Sequence, residues 1–523
     1  MAILLVAGCV GIAACSKSME ETGFFDENVV SISTFLENND EEYSKYWEIV
    51  QTTGLYHTLN AFNPLGAGYT LFLPTDAAFD RYIQGNEKYP SFEALLHDHD
   101  FTWLLARYHL VNTKLFTYDF PYGALPDSTA TGDYLTIGIE ILEDSSLYMV
   151  NNKAPLVVYD IETSNGIIHI IDEVLEPIMF NSFQWLLNRE GYSILSRAFE
   201  SSGLKDTMDI FIHSSSGEQI KNRYTVFAEH DSIFQRQGIL TFDDLVDRFH
   251  TPGRELDDPD GGLYQFAAYH MLKESWFLDD FEDRSNYNSY AVYPVDIDAQ
   301  GLDIKINPGV DSFGVVIAGT DTTVIDYIGL FYQESNVNTK NGPIHFITEI
   351  MELHRPRPSD ERFEFLENSL IREYSDILGT YEIVDPGFLE YIWWEGPEKL
   401  EYVKESRGDN NALNNDYLEI DGNFKIEYTI PEILPGRYRV MLRTELGLSN
   451  VFGEDNATIQ VHIDGKRVGG NINLAVGGTS NNPFLEFEIG IMEFTRYEQH
   501  LIRINSLIPG NMKWDYILFK PEN

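Results

Sequence analysis

The stretch Asn165-Gly-Ile-Ile-His-Ile-Ile-Asp-Glu-Val-Leu-Glu-Pro177 recurs, altered, as Asn341-Gly-Pro-Ile-His-Phe-Ile-Thr-Glu-Ile-Met-Glu-Leu353. A repeat at this separation implies a duplicated domain, since a solenoid unit would return much sooner. Each copy opens on an Asn-Gly pair, where glycine is expected to take the positive φ of a tight reversal. Each continues as an apolar run centred on a histidine. In the first copy Ile167, Ile168, Ile170, Ile171, Val174 and Leu175 are too continuous for a half-exposed strand and read as a buried one.

Two further pairs recur in the same order. Tyr69-Thr-Leu-Phe-Leu-Pro-Thr-Asp-Ala-Ala-Phe79 matches Tyr224-Thr-Val-Phe-Ala-Glu-His-Asp-Ser-Ile-Phe234, and Ala106-Arg-Tyr-His-Leu110 matches Ala268-Tyr-His-Met271. In the first box Pro74 ends a short strand, and Thr75 or Asp76 caps a helical turn carrying Ala77, Ala78 and Phe79. Ser91-Phe-Glu-Ala-Leu-Leu96 and Thr241-Phe-Asp-Asp-Leu-Val246 read as matching capped helix starts.

These three boxes resemble those of the fasciclin-like family. The second set departs from the pattern: Glu229 and His230 stand for Pro74 and Thr75, Thr348 for Asp172, and Leu353 for Pro177. The resemblance implies two tandem α+β fasciclin-like domains with an adhesion role. It also implies partner contact around the Tyr-His motif, which makes Tyr108 and His109 candidate partner residues. Read from the residues alone, His109, His169, His270 and His345 are core histidines in apolar runs rather than metal ligands or catalytic groups.

With 83 acidic against 36 basic residues the net charge is −47, which repels nucleic acid and anionic membrane surfaces. The acids are spread along the chain and read as a solvated surface. Both cysteines fall within the first fifteen residues. Ile3 to Ala14 is an apolar run too short to cross a bilayer but fit for a signal-peptide core. Ile12-Ala-Ala-Cys15 resembles a lipoprotein lipobox, as does Val6-Ala-Gly-Cys9; Cys15 is preferred because a longer apolar run precedes it. Lipidation at Cys15 would leave no cysteine for a disulfide.

After Leu353 the pattern changes. His354-Arg-Pro-Arg-Pro358 reads as a linker and Glu361 to Leu378 as helical. From Tyr381 onward short alternating strands are separated by turns: Tyr438, Val440 and Leu442; Ile459, Val461 and Ile463 before Asp464-Gly465; Leu485, Phe487, Ile489 and Ile491; and Trp514 to Phe519. That is an all-β antiparallel sandwich. It resembles the jelly-roll galactose-binding and carbohydrate-binding modules, which implies a late acid, Asp515, as a candidate structural calcium ligand and otherwise no cofactor. As a strand residue Asp515 reads as an exposed acid. Trp393 and Trp394 can stack on a sugar ring or pack at a sheet edge. Asp257-Asp-Pro-Asp-Gly-Gly262 lacks the spaced acids of a calcium loop and reads as a flexible acidic insertion.

The expected order is a lipoprotein signal peptide (1–15), a tether (16–29), fasciclin-like domains (30–178 and 179–355), a linker with helix (356–380) and a sandwich (381–523). Neither a nucleophile elbow, nor a zinc-protease motif, nor a phosphate loop occurs, and His97-Asp-His99 is an isolated pair. The chain is therefore expected to be a non-enzymatic binding or adhesion lipoprotein of the outer membrane, exposed at the cell surface. The arrangement resembles the accessory lipoproteins of glycan-import systems. That implies a membrane transporter, a substrate-binding lipoprotein and polysaccharide as partners, with a carbohydrate-binding module protein or an unrecognised glycoside hydrolase as the alternatives.

Overall fold

The computed structural model describes residues 30–61, 68–141, 146–213, 219–301, 303–308, 327–408, 410–447 and 456–522. The chain forms two compact units, Met1–Pro177 and Ile178–Asn523. Among the described residues no helix is long and apolar enough to cross a membrane.

The first unit is built on a seven-stranded sheet whose centre is made by two of the recurring boxes. Strand Tyr69–Pro74 lies parallel to strand Gly166–Ile171, with Leu71 opposite Ile168 and Phe72 opposite His169. Every residue of both strands is buried, which is why each reads as unbroken apolar sequence. Leu110–Val111 flanks the pair on one side, and an antiparallel meander through Ala154–Thr163 extends it on the other. Helices pack on this sheet with Ile32, Tyr46, Ile49, Phe79, Leu95 and Leu105 in a common core.

The first box divides its polar work between two residues. Thr75 caps the helix Asp76–Gln84 by accepting from Ala78 N. Asp76 turns away and takes the backbone N–H groups of Ser44 and Lys45, at 3.2 and 2.9 Å, tying the helix Asp40–Thr52 to the end of the central strand. Gly166 serves a purpose other than the expected one. Its φ lies outside the left-handed region, and glycine is needed because a Cβ there would meet the Tyr69 carbonyl oxygen at 2.3 Å. At Gly342, which does take the expected positive φ (151°), a Cβ would meet the Tyr224 carbonyl oxygen at the same distance.

In the second unit, strand Tyr224–Ala228 runs parallel to Pro343–Phe346, with Phe227 opposite His345, and Met271–Lys273 flanks it. The ties of the first unit recur here. Asp231 accepts from Ser193 N and Ile194 N at 3.1 and 3.0 Å, and Thr241 forms a reciprocal capping box with Asp244. The Asp257–Gly262 stretch is the expected acidic loop, a series of turns in which Arg254 pairs with Asp258 at 2.8 Å and Gly261 N bonds Asp258 O.

A three-stranded sheet, Ser285–Tyr287, Val295–Gln300 and Asp303–Ile306, follows, and from Glu361 on the second unit is a β-sandwich. A five-stranded antiparallel sheet has the strand order Ile392–Glu395, Lys425–Ile433, Glu498–Ile508, Thr458–Ile463, Lys466–Asn473. A seven-stranded sheet is centred on Gly510–Pro521 and Gly436–Glu445. Their inner faces share one core that includes Trp394, Tyr428, Tyr438, Ile504 and Trp514. Two expectations need correction. The segment read as linker and long helix gives a strand, Glu361–Phe363, and a short helix, Ser369–Tyr374. Phe363, Phe365 and Ile371 enter the sandwich core, so apolar burial recruits this segment into the domain. The alternation holds for Leu485, Phe487 and Ile489, which pack on the sandwich core, and fails at Ile491: the register against Gly436–Glu445 shifts between Val440 and Met441, and this bulge turns Ile491 outward and Met492 inward. Asp464 and Gly465, at φ 49° and 75°, form the expected hairpin turn.

Candidate functional site

The histidines of the recurring boxes are interior struts. His109 is fully buried; its Nδ1 bonds Leu105 O at 2.8 Å, and its Nε2 accepts from Leu175 N at 3.0 Å. Burial holds its pKa down at about 4, so the ring is neutral and fully used. Tyr108 is buried beside it, with its hydroxyl accepting from Asn151 Nδ2 at 3.0 Å. Neither side chain reaches solvent, so the partner contact inferred for Tyr108 and His109 has no exposed atoms to act through. His169 accepts from Asp160 N at Nδ1 and bonds Leu115 O at Nε2. His345 repeats the pattern with Asn336 N and Trp276 O. Asp160 and Asn336 both take left-handed φ, 59° and 60°, which aims each backbone N–H at the imidazole.

The two tryptophans separate by the pleat of one edge strand. Along Ile392–Glu395 burial alternates, so Trp394 is 4% exposed in the sandwich core and Trp393 is 41% exposed on the outer face. Trp393 borders a cleft of about 470 Å³ with Asp385, Glu390, Tyr391, Glu427 and Thr429. The Lys425 ammonium lies 4.8 Å from the Trp393 ring centre, and Lys425 also pairs with Glu395 at 3.0 Å. An aromatic plate edged by carboxylates and a hydroxyl suits the apolar face and the hydroxyl rim of a sugar ring.

Asp515 does not fit a calcium site. It is 3% exposed, its Oδ2 lies 2.8 Å from Arg443 Nε and accepts from Leu413 N at 2.9 Å, and a guanidinium in that place excludes a second cation. Burial pushes its carboxyl up to about 7 even with Arg443 beside it. Among the described residues no group of three or more His, Cys, Asp or Glu is placed to hold a metal. Cys9 and Cys15 lie outside the described residues. The sequence reading missed Tyr391, Glu427, Arg503 and Arg467 on the outer sheet face. The signal was present in the residues alternating with the apolar ones, as with Gln460 and His462 between Ile459, Val461 and Ile463.

The fold thus defines an α/β unit with a parallel two-strand centre, and an α/β portion joined to a β-sandwich. Residues 41–177 match the model of the fasciclin domain, so the chain carries a fasciclin domain. Human periostin is 30% identical over 149 residues, covering 28% of this chain and 16% of periostin; the chain therefore spans a small part of that relative. The Synechocystis protein sll1483 is 29% identical over 142 residues, covering 27% of this chain and 70% of the relative. Among solved structures, a domain pair from the insect cell adhesion molecule fasciclin I covers 61% of this chain and 98% of its own at 13% identity and a TM-score of 0.25. A family 35 carbohydrate binding module from Clostridium thermocellum covers 28% of this chain and 99% of its own at 12% identity and a TM-score of 0.19.

Proposed function

We propose that this chain is a non-enzymatic, lipid-anchored surface protein in which two fasciclin-like domains present a jelly-roll module that binds polysaccharide. The observation that carries the reading is Trp393, exposed at the rim of a cleft of mixed polar and apolar lining while its neighbour Trp394 is buried. The acyl anchor falls on Cys15, and the bound glycan passes to an outer-membrane transporter and its substrate-binding lipoprotein. No residue is assigned a catalytic role. The internal parallels between Asp76 and Asp231, His169 and His345, and Asp160 and Asn336 support a second fasciclin-like domain.

Calorimetry of the full chain against a panel of polysaccharides tests the reading. Sub-millimolar binding that is lost in Trp393→Ala, with the thermal midpoint kept, is the expected result; absence of binding to any glycan rejects it. A second reading, docking on a partner protein, draws on Ile377, Leu378, Val384 and Phe388, all exposed. It predicts a stoichiometric membrane partner without glycan affinity.

A further inference from the structure

The outer face of the five-stranded sheet carries one unbroken cross-strand row. Trp393 lies opposite Glu427, Glu427 opposite Arg503, Arg503 opposite His462, and His462 opposite Arg467. With strands ~4.8 Å apart the row is roughly 19 Å long, enough for several sugar rings laid across the strands.

Charge changes along this row. At the Trp393 end Asp385, Glu390 and Glu427 border the cleft, and the nearby Lys425 ammonium is taken up by Glu395 at 3.0 Å and Glu427 at 3.8 Å. In the middle Arg503 Nε meets Glu427 Oε1 at 2.6 Å, so the two cancel. At the far end Arg467 is held by amides. Its Nη2 donates to Asn471 Oδ1 at 2.8 Å, and exchanging the Gln460 amide O and N, the orientation its neighbours favour, lets the oxygen accept from Nη1 at 3.0 Å and Nε at 2.9 Å. Among the described residues no carboxylate pairs with Arg467. Neutral partners of this kind fix the guanidinium fork and leave its charge uncancelled, the arrangement that suits a carboxylate or a sulfate. His462 reports the local field: its pKa is held below the ordinary value, by burial first and then by Arg503 and Arg467.

We propose that this row holds a saccharide whose neutral ring lies against Trp393 and whose acidic substituent, a carboxylate or a sulfate, is gripped by the Arg467 fork. The proposal rests on the reading of the sandwich as a glycan-binding module and adds the chemical class of the glycan. A net charge of −47 disfavours a densely charged polyanion. An isolated acidic group reaching Arg467 interacts within the screening length of ~8 Å at physiological salt, so the fitting ligand is a largely neutral chain with sparse acidic groups.

The test is calorimetry of the full chain with neutral polysaccharides and with the same backbones bearing sparse uronate branches or sparse sulfate esters. An acid-bearing polymer is expected to bind at least about tenfold more tightly than its neutral parent, with an advantage that shrinks as salt rises. The carboxylate and sulfate arms identify which group is read. In Arg467→Ala the ratio of the two affinities falls to about one, and in Arg467→Lys, which keeps the charge without the fork, it is intermediate. Thermal midpoints confirm that both variants fold. Equal affinity for charged and neutral polymers, or a preference that survives Arg467→Ala, overturns the proposal while leaving the glycan-binding reading in place. Failure of every polymer to bind overturns both.

Discussion

His270 Nε2 lies 2.8 Å from the Glu229 carboxylate, and both side chains are fully buried. In the first unit the equivalent nitrogen of His109 accepts a backbone N–H from Leu175. Glu229 occupies the place that Pro74 holds in the first box, and its Oε1 also takes the Met351 N–H at 2.8 Å. The carboxylate thus sits between an imidazole and a backbone amide that in the first unit bond each other directly. Since His270 Nδ1 is already committed to Phe266 O, a proton must lie between Nε2 and the carboxylate.

Glu229→Ala strands both His270 Nε2 and the Met351 amide in a dry interior. A loss of about 3–5 kcal/mol is expected, as for breaking a buried pair from one side. Glu229→Gln, which keeps an acceptor for Met351, should lose less. Denaturant unfolding of the two variants checks the order, and an Ala variant as stable as Gln would deny the pair its structural role.

Acid should weaken both units. His109 and His345 are held by burial at about 4, against an ordinary value of about 6.5. Below the ordinary value the unfolded chain takes up a proton that the folded state refuses. Their contribution is therefore complete above pH ~6.5 and falls away towards pH ~4, by at most ~1.4 kcal/mol per pH unit for each ring. Unfolding free energies measured between these limits should slope accordingly, with a shallower slope in His345→Gln.

Trp393→Ala and Trp394→Ala should behave as opposites despite their adjacency. The first should leave the thermal midpoint in place and remove glycan affinity. The second opens a void beside Tyr428 and Trp514 in the sandwich core and should cost about 3–5 kcal/mol. Equal destabilisation by both would contradict the pleat that separates them.

Calcium should not stabilise the sandwich. With Arg443 against Asp515, adding the ion or a chelator is expected to leave the melting temperature unchanged. Arg443→Met, which leaves the carboxyl buried without its partner, should lower it. A calcium-dependent rise in the wild-type chain would sink this assignment.

Cys15→Ser should move the protein from the membrane to the soluble fraction. Membrane association that persisted with Cys9 replaced as well would rule out a lipid anchor.

The central strands of the first unit are legible in sequence because burial on both faces forces an apolar run, as in Leu71 to Leu73 and Ile167 to Ile171. The helix caps at Ser91 and Thr241 are legible because capping is local chemistry. What sequence could not show is where long-range pairing overrides local pattern. The segment 361–374 has the composition of a helix, yet Glu361–Phe363 is held as a strand by Gly510–Pro521, which lies some 150 residues further on in the chain. Asp515 has the polarity of a surface acid and is buried because Arg443 arrives from the neighbouring strand to meet it. The Trp393 face depends in the same way on five strands coming into register, and no single stretch of sequence contains it.

Strand Glu361–Phe363 is antiparallel to Gly510–Pro521, with Glu361 opposite Phe519 and Phe363 opposite Ile517. The sandwich's first strand therefore starts beside the end of its last. Tension applied through those two ends loads the ladder one rung at a time, so the pair peels open as a zipper and does not resist as a shear clamp. Under mechanical load this seam is where the sandwich yields first, and single-molecule pulling from those two ends should open it at low force.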